Sequence, residues 1–159
     1  MKSEHDFSVV EMAEPDDLEE ILSLQKLAFK SQAEIYNDFN IQPLTQTLEE
    51  LREEARKSVI LKLVLDSKIV GSVRAFEKDG SCYIGKLAVH PEYQNRGLGR
   101  KLMTAIEQCF DGVRYELFTG YLSEKNLAMY ESLGYERFKT QKVGRDMELI
   151  YLEKKPQKL

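Results

Sequence analysis

A glycine-containing turn is the segment of this sequence whose residue types and spacing could do chemistry. Gly97 and Gly99 stand one residue apart, and Arg96 and Arg100 flank them. Two glycines let a backbone turn tightly and approach a ligand, because no Cβ stands in the way. Where such a turn opens a helix, the first N–H groups lack partners inside the helix and the helix dipole adds positive charge. The segment 94–100 therefore predicts a diphosphate-binding site; the plainer interpretation is a helix start whose glycines serve packing alone.

Hydrophobic periodicity predicts the elements on either side of this turn. Residues 81–89 form an apolar run typical of a strand, and Pro91 ends it by removing a backbone donor. A dinucleotide-binding turn would need a third glycine where Leu102 stands, and a triphosphate-binding loop would need Lys-Ser/Thr where Arg100-Lys101 stand, so neither motif fits. The apolar residues that follow recur at helical spacing: Leu98, Leu102, Ala105, Ile106 and Cys109.

The whole chain is predicted to follow the order βααβββαβαββ within one domain, residues 1–159. Short turns make the central strands antiparallel, whereas a helix between 81–89 and 113–119 makes those two strands parallel. The fold class is therefore α/β with mixed character: a central, mostly antiparallel sheet with flanking helices. Strands are expected at 6–12, 59–65, 69–76, 81–89, 113–119, 135–139 and 143–152, and helices from Pro15, over 47–57, from Gly97 and over 123–133, while 30–44 is predicted as a loop or a broken helix.

Composition indicates a globular protein and argues against several functions. The 159 residues carry a net charge of −4, which disfavours a nucleic-acid partner because phosphate backbones require a concentrated basic face. No apolar run approaches the roughly 18 residues of a membrane span, and the acidic first 20 residues lack a signal-peptide core, so we expect a cytoplasmic protein with no membrane partner. Cys82 and Cys109 lack metal-ligand spacing, so no metal is expected and both should be buried free thiols.

The residues around the turn resemble the coenzyme A signature of the GNAT acetyltransferase superfamily. The run 86–99, KLAVHPEYQNRGLG, is similar to the family's Q/R-x-x-G-x-G/A turn after a strand ending near L-A-V-x-P. A second segment, 126–135 (NLAMYESLGY), is similar to the family's N-x-x-x-Y-x-x-x-G-[FY]. The predicted element order also suits the family from residue 6 to about residue 152. The resemblance implies a GNAT-type acyl-CoA N-acyltransferase fold with a splayed pair of parallel strands.

The resemblance also implies acetyl-CoA as the co-substrate and suggests a role for individual residues. In this family the pantetheine arm of the coenzyme lies between the splayed strands and imitates a strand. The backbone of Leu87 and Val89 would bind that arm, and the Leu87 N–H would polarise the thioester carbonyl. Tyr130 matches the general acid that returns a proton to the leaving thiolate. Asn126 would hold the coenzyme arm, although many relatives carry this asparagine where the chain has Ser123. The diphosphate would be held by Gln94, Asn95, Arg96, Gly97, Leu98, Gly99 and Arg100.

No general base for the acceptor amine is evident in the sequence. Some relatives carry a glutamate or histidine on the strand before the turn, where this chain has Tyr83 and Gly85. An alkylammonium has a pKa of about 10.4, so deprotonating it near neutral pH costs about 4 kcal/mol. A chain of water molecules is one alternative. The other is a residue of the cluster Glu34, Tyr36 and Asp38.

The resemblance therefore implies an N-acetyltransferase that acts on a primary amine of a small molecule by direct attack in a ternary complex. Neither cysteine is predicted to lie in a basic, exposed setting that would favour a thiolate intermediate. A protein N-terminal or lysine acetyltransferase with a peptide acceptor is one alternative, and a non-catalytic acyl-CoA-binding regulatory module is the other. Homodimers are common among relatives, but no apolar face in this sequence identifies an interface.

Overall fold

Seven strands form one mixed sheet in the computed structural model, which describes residues 7–144 and 147–156. In chain order the strands are Val9–Met12 (β1), Val59–Leu65 (β2), Lys68–Lys78 (β3), Ser81–Val89 (β4), Arg114–Gly120 (β5), Glu136–Val143 (β6) and Met147–Lys154 (β7). In space they lie in the order β1-β2-β3-β4-β5-β7-β6. All neighbouring pairs are antiparallel except β4 and β5, which are parallel.

Helices cover both faces of this sheet. The α-helices of the described residues are Leu18–Tyr36 (α1), Gln42–Thr45 (α2), Leu48–Ala55 (α3), Leu98–Gln108 (α4) and Glu124–Ser132 (α5). The start of α3 is fixed by a capping box, in which the Thr47 hydroxyl accepts the Glu50 N–H at 3.1 Å and the Glu50 carboxylate accepts the Thr47 N–H at 2.8 Å. None of these helices combines the length and the apolar character needed to cross a membrane.

Two hydrophobic clusters, one on each face of the sheet, hold the helices in place. On one face, α1 and α3 bury Ile21, Leu24 and Leu51 against β2 and β3. On the other face, α4 and α5 pack on the central strands. The α4 residues Leu98, Leu102 and Ile106 recur every four positions and are at most 2% exposed, so the helix presents one apolar stripe to the sheet. This stripe fixes the position of the turn that precedes α4.

The predicted arrangement of strands is confirmed, including the parallel pair. The strands expected at 81–89 and 113–119 are β4 and β5, and α4 connects them. The segment 30–44 is a broken helix rather than a loop: α1 continues to Tyr36 and stops at Asn37, whose backbone is left-handed (φ 51°), and the one-turn α2 follows. The last part of α1 is held to the fold because Ala33 on it is fully buried.

The expectation of two buried thiols is correct for Cys82 and wrong for Cys109, which is exposed. Cys109 follows the last residue of α4, and its Sγ lies 3.5 Å from the carbonyl oxygen of Ala105 instead of joining the apolar stripe. The first residue of the predicted strand 6–12, Asp6, lies outside the described residues, as do 145–146 of the predicted strand 143–152. The start of that strand was predicted too early, because Val143 is the last residue of β6 and β7 begins at Met147.

Candidate active site

The parallel strands β4 and β5 pair over only three residues and then separate. Their pairing ends at Tyr83 and Glu116. Beyond this point β4 contains a β-bulge, since its register with β3 shifts and Lys86 adopts a positive φ of 53°. An extra residue in one strand bends it and increases its twist. The gap between 86–89 of β4 and 117–120 of β5 is called the wedge below. Along it, no described residue of β5 pairs with β4.

A groove of about 700 Å³ runs along the β4 side of the wedge and along the turn before α4. Pockets that bind small molecules and cofactors commonly have volumes of about 300–1,000 Å³. The lining comes from 28–35 of α1, 87–89 of β4, the turn 93–100, and 122–129 at the start of α5. The groove therefore brings together one helix wall, one strand edge and the glycine turn.

Nearly all residues predicted to bind the coenzyme line this groove. Two of the predicted site residues, Arg96 and Tyr130, are not part of its lining. The guanidinium of Arg96 lies 5.2 Å from the centre of the Tyr93 ring, at the outer side of the turn. The residues that the groove brings together are Leu87, Val89, Gln94, Asn95, Gly97, Leu98, Gly99, Arg100 and Asn126.

The turn presents a row of backbone amides at the start of α4. Gly97 is the N-cap residue and has φ 79°, a conformation that glycine adopts at no steric cost. The first hydrogen bond of the helix runs from the Lys101 N–H to the Gly97 carbonyl at 3.1 Å. The amides of Leu98, Gly99 and Arg100 come before that bond and have no partner inside the helix. Together with the helix dipole, they can bind an anionic group.

Gly99 leaves space in the groove because it has no side chain. A Cβ on Gly99 would lie 3.5 Å from the Met129 sulphur and 3.8 Å from Leu87 Cδ2, which are ordinary van der Waals distances. Met129 and Leu87 both line the groove, so this Cβ would project between them into the ligand space. The protein alone could accommodate a side chain at position 99. The absence of a side chain there therefore benefits a ligand in the groove and not the packing of the protein.

Polar side chains around the turn add positive charge and fix its shape. The Gln94 side-chain amide donates to the Val89 carbonyl at 3.0 Å, which ties the turn to the end of β4. Lys125 Nζ lies 3.3 Å from the Asn95 side-chain oxygen, and this brings the start of α5 to the turn. Arg100 donates to the Ser132 hydroxyl at 2.8 Å. Since Arg100 and Lys125 are cations, both favour an anion at the turn.

Tyr130 belongs to α5, and its side chain lies in the core and is 6% exposed. Its ring centre is 6.1 Å from that of Tyr135. Burial raises the pKa of Tyr130 above the usual value for a phenol, so the hydroxyl is protonated at neutral pH. Asn126, one turn earlier, lines the groove. Ser123, at the alternative position for the family asparagine, already has partners on α1, since its hydroxyl lies 3.3 Å from Gln32 Nε2.

Tyr36 connects the end of α1 to the loop after β5. Its hydroxyl accepts the Leu122 N–H at 2.7 Å and lies 3.4 Å from the Ser123 hydroxyl. The ring packs directly on Gly120, where any Cβ would overlap it. These contacts hold α1 over the groove. The glycine at the end of the predicted strand 113–119 is a sequence signal for close packing, but it does not identify Tyr36 as the residue that packs there.

The groove lining contains one carboxylate, Glu124, which is exposed at the first residue of α5 and was not among the candidate bases in the sequence. At the strand position where some relatives carry a base, Tyr83 stacks on Phe76 with 5.4 Å between ring centres. Glu34 and Asp38 are exposed on the outside of α1 and beyond its end. Of the three loop residues considered from the sequence, only Tyr36 contacts a segment that lines the groove.

The two thiols lack the properties of a nucleophile. Burial raises the pKa of Cys82 to about 12, and partial burial also raises the pKa of Cys109. Thiolate formation is therefore disfavoured at both positions. Among residues 7–144 and 147–156, no three His, Cys, Asp or Glu side chains come together as metal ligands.

A comparison with protein families finds one matching domain model, described as an acetyltransferase (GNAT) domain. The match covers residues 56–137, which is more than half of the chain. It extends from the start of β2 to the start of β6 and so includes the wedge and the glycine turn.

Solved structures with the same fold cover nearly the whole chain. The ribosomal-protein-S18-alanine N-acetyltransferase of Escherichia coli has a TM-score of 0.76 at 16% identity, over 96% of each chain. PaiA N-acetyltransferase of Thermoplasma acidophilum, in complex with coenzyme A, has a TM-score of 0.73 at 16% identity, over 93% of this chain and 98% of its own. YncA of Salmonella typhimurium, with its cofactor acetyl-CoA, has a TM-score of 0.72 at 19% identity, over 96% of each chain. At these identities the similarity demonstrates the fold.

Proposed function

Since the chain belongs to the GNAT acetyltransferase family, whose members use acetyl-CoA, we propose that it transfers the acetyl group directly to a primary amine of a small molecule. Donor and acceptor would meet in a ternary complex at the wedge. The observation that supports this most directly is the short pairing of β4 and β5, which opens a groove beside the glycine turn.

The turn would hold the diphosphate of acetyl-CoA. The amides of Leu98, Gly99 and Arg100 precede the first hydrogen bond of α4, so a phosphate oxygen could accept from them without disrupting the helix. Arg100 and Lys125 would add charge at the rim of the same site. The pantetheine arm would then enter the wedge and take the hydrogen-bonding place that β5 leaves empty along β4.

The Leu87 N–H would accelerate the reaction by binding the thioester oxygen. Negative charge builds on this oxygen as the amine attacks, and a fixed donor stabilises the charge more in the transition state than in the ground state. Donors of this type commonly contribute about 10²–10³-fold in rate. The bulge at Lys86 supports this role, because it rotates the backbone immediately before Leu87.

Tyr130 would assist the departure of the coenzyme thiolate. The raised pKa keeps its hydroxyl protonated, so a hydrogen-bond donor is present at every physiological pH. The same shift raises the free energy of complete proton transfer from Tyr130 to the thiolate. Tyr130 would therefore donate a hydrogen bond that strengthens as the C–S bond breaks. A covalent route through Cys82 or Cys109 is disfavoured by their raised pKa values. This supports direct transfer.

Release of free thiol from acetyl-CoA tests the proposal, with a panel of primary amines and short peptides as acceptors. We expect turnover with small amines, and a fall in kcat of about tenfold or more in Tyr130→Phe with an unchanged dissociation constant for acetyl-CoA. Tyr115→Phe is the control, because this tyrosine lies in the same core and its hydroxyl donates to the Glu107 carbonyl at 2.8 Å, away from the groove. Equal rates in wild type and Tyr130→Phe would remove the proposed acid.

Turnover with peptides and not with small amines would favour the alternative of a protein acetyltransferase. One structural neighbour is named for a ribosomal protein as its acceptor, but at 16% identity that name does not transfer to this chain. The roles of the individual site residues, a homodimer and a cytoplasmic location all stay predictions.

A further inference from the structure

A buried charged cluster lies beside the wedge, under α1 and α3. Its centre is Arg74 on β3, whose side chain is 3% exposed. The guanidinium donates to the side-chain oxygens of Gln25 at 2.7 Å and Gln46 at 3.0 Å. Its Nε lies 2.9 Å from a carboxylate oxygen of Glu54, and the two groups form an ion pair. One buried cation and one carboxylate therefore face each other here.

Lys86 brings a second cation to this cluster. It is half-buried, and its pKa is lowered, first by burial and then by the charge of Arg74, while Glu54 acts in the opposite direction. The ammonium of Lys86 makes no hydrogen bond or ion pair with the residues that the structure describes. Two cations with one carboxylate leave an uncompensated positive charge, and such a charge is costly to bury without a partner.

Lys86 also stands where the acetyl group is expected. It directly precedes Leu87, and it lies in the bulge of β4, beyond the last residue that pairs with β5. The pairing of the two strands ends three residues earlier, at Tyr83, so no β5 residue is paired with Lys86. The residue before it, Gly85, pairs directly with Arg74 of β3. The side-chain partners of Arg74 include Gln25 on α1 and Glu54 on α3, so the cluster lies next to Lys86 on the side of the sheet that these helices cover. An acceptor bound on this face would meet the ammonium beside the thioester.

We propose that Lys86, supported by Arg74, binds an anionic group of the acceptor, a carboxylate or a phosphate carried close to the reacting amine. The inference rests on the proposed function, since it names the class of amine that the same site would use. The anion would supply the missing negative charge and form a charge-assisted hydrogen bond with the ammonium.

Matched pairs of acceptors test the subsite: an amino acid against its carboxamide, and an aminoalkyl phosphate against the aminoalcohol. We expect kcat/KM to be about ten- to a hundredfold higher for the anionic member, the span of a charge-assisted hydrogen bond. Lys86→Met should collapse this ratio toward one, and Lys86→Arg should retain part of it. Lys78→Met, at an exposed lysine on the same hairpin, should leave the ratio at the wild-type value. A neutral member used as well as its anionic partner, or a ratio unchanged in Lys86→Met, would overturn the proposal.

A second measurement requires neither an acceptor nor the coenzyme, so it separates failure of this inference from failure of the proposed function. Amine labelling by trinitrobenzenesulphonate is followed residue by residue by mass spectrometry, at constant ionic strength and with increasing acetate or inorganic phosphate. Labelling of Lys86 should slow as the anion binds, while labelling of Lys78 should not change. Equal rates at both lysines across the titration would contradict the subsite. Acetylation of Lys86 itself during turnover would make it an acceptor and would overturn its role as a binding group.

Discussion

Replacing Gly99 with alanine should stabilise the fold and weaken coenzyme binding at the same time. The new Cβ would make ordinary contacts with Met129 and Leu87, at 3.5 and 3.8 Å, so it causes no overlap with the protein. Replacing a glycine whose backbone an alanine can adopt reduces the freedom of the unfolded chain and stabilises by about 0.4–1 kcal/mol. In a chain of this size that corresponds to a rise in Tm of about 1–4 °C.

The loss of affinity follows from the position of the same methyl group. Gly99 carries the second amide of α4, and its Cβ would point into the groove where the diphosphate is expected. Displacing a phosphate oxygen from one amide removes a charge-assisted hydrogen bond of about 1.5–3 kcal/mol. The dissociation constant for acetyl-CoA should therefore rise by about ten- to a hundredfold.

Thermal unfolding and isothermal titration calorimetry on the same preparation measure both effects. Gly85→Ala is the matched control, because its Cβ would stand in open space on β4, before the turn. This control should bind acetyl-CoA with wild-type affinity. An undiminished affinity in Gly99→Ala would refute the placement of the diphosphate at the turn, and a lower Tm would refute the packing argument.

Three further changes test other parts of the structure. Gly120→Ala should destabilise by about 1–3 kcal/mol and increase hydrogen exchange at the end of α1, since its Cβ overlaps the Tyr36 ring; unchanged exchange there would contradict the proposed contact. Asp17→Asn should lower the urea midpoint at neutral pH, and the difference should disappear in acid. The hydrogen bond from Lys62 lowers the pKa of Asp17, so its contribution is complete above the unfolded value of about 3.9 and disappears as the pH falls through the folded value. A midpoint difference that persists in acid would contradict this reasoning. Asn126→Ala should raise KM for acetyl-CoA more than it lowers kcat, and the reverse pattern would remove Asn126 from the coenzyme groove.

The local features of the site could be predicted from the sequence because they depend on neighbouring residues. Gly97 and Gly99 specify the turn through their own backbone, and the four-residue spacing of Leu98, Leu102 and Ile106 specifies the helix that follows. A helix between two strands also implies that those strands are parallel. None of these features depends on a distant part of the chain.

The features that escaped prediction depend on contacts between segments far apart in the chain. Tyr36 meets Leu122 across 86 residues, and Arg74 meets Gln25 across 49. An arginine within an apolar strand is visible in the sequence, but its partners are not. The bulge at Lys86 likewise arises from the register with β3, which no periodicity reveals. Helical spacing places Cys109 on the apolar stripe, because the spacing does not show where α4 ends.

The central claim is that the amides of the turn and of β4 bind the coenzyme, and a titration of ¹⁵N-labelled protein with coenzyme A tests it most directly. The amide signals of Leu87, Leu98, Gly99 and Arg100 should move together and saturate at one equivalent, while those of the edge strand β6 should stay in place. Saturable binding that leaves these four signals unmoved, or an absence of any shift in folded protein, would contradict the account.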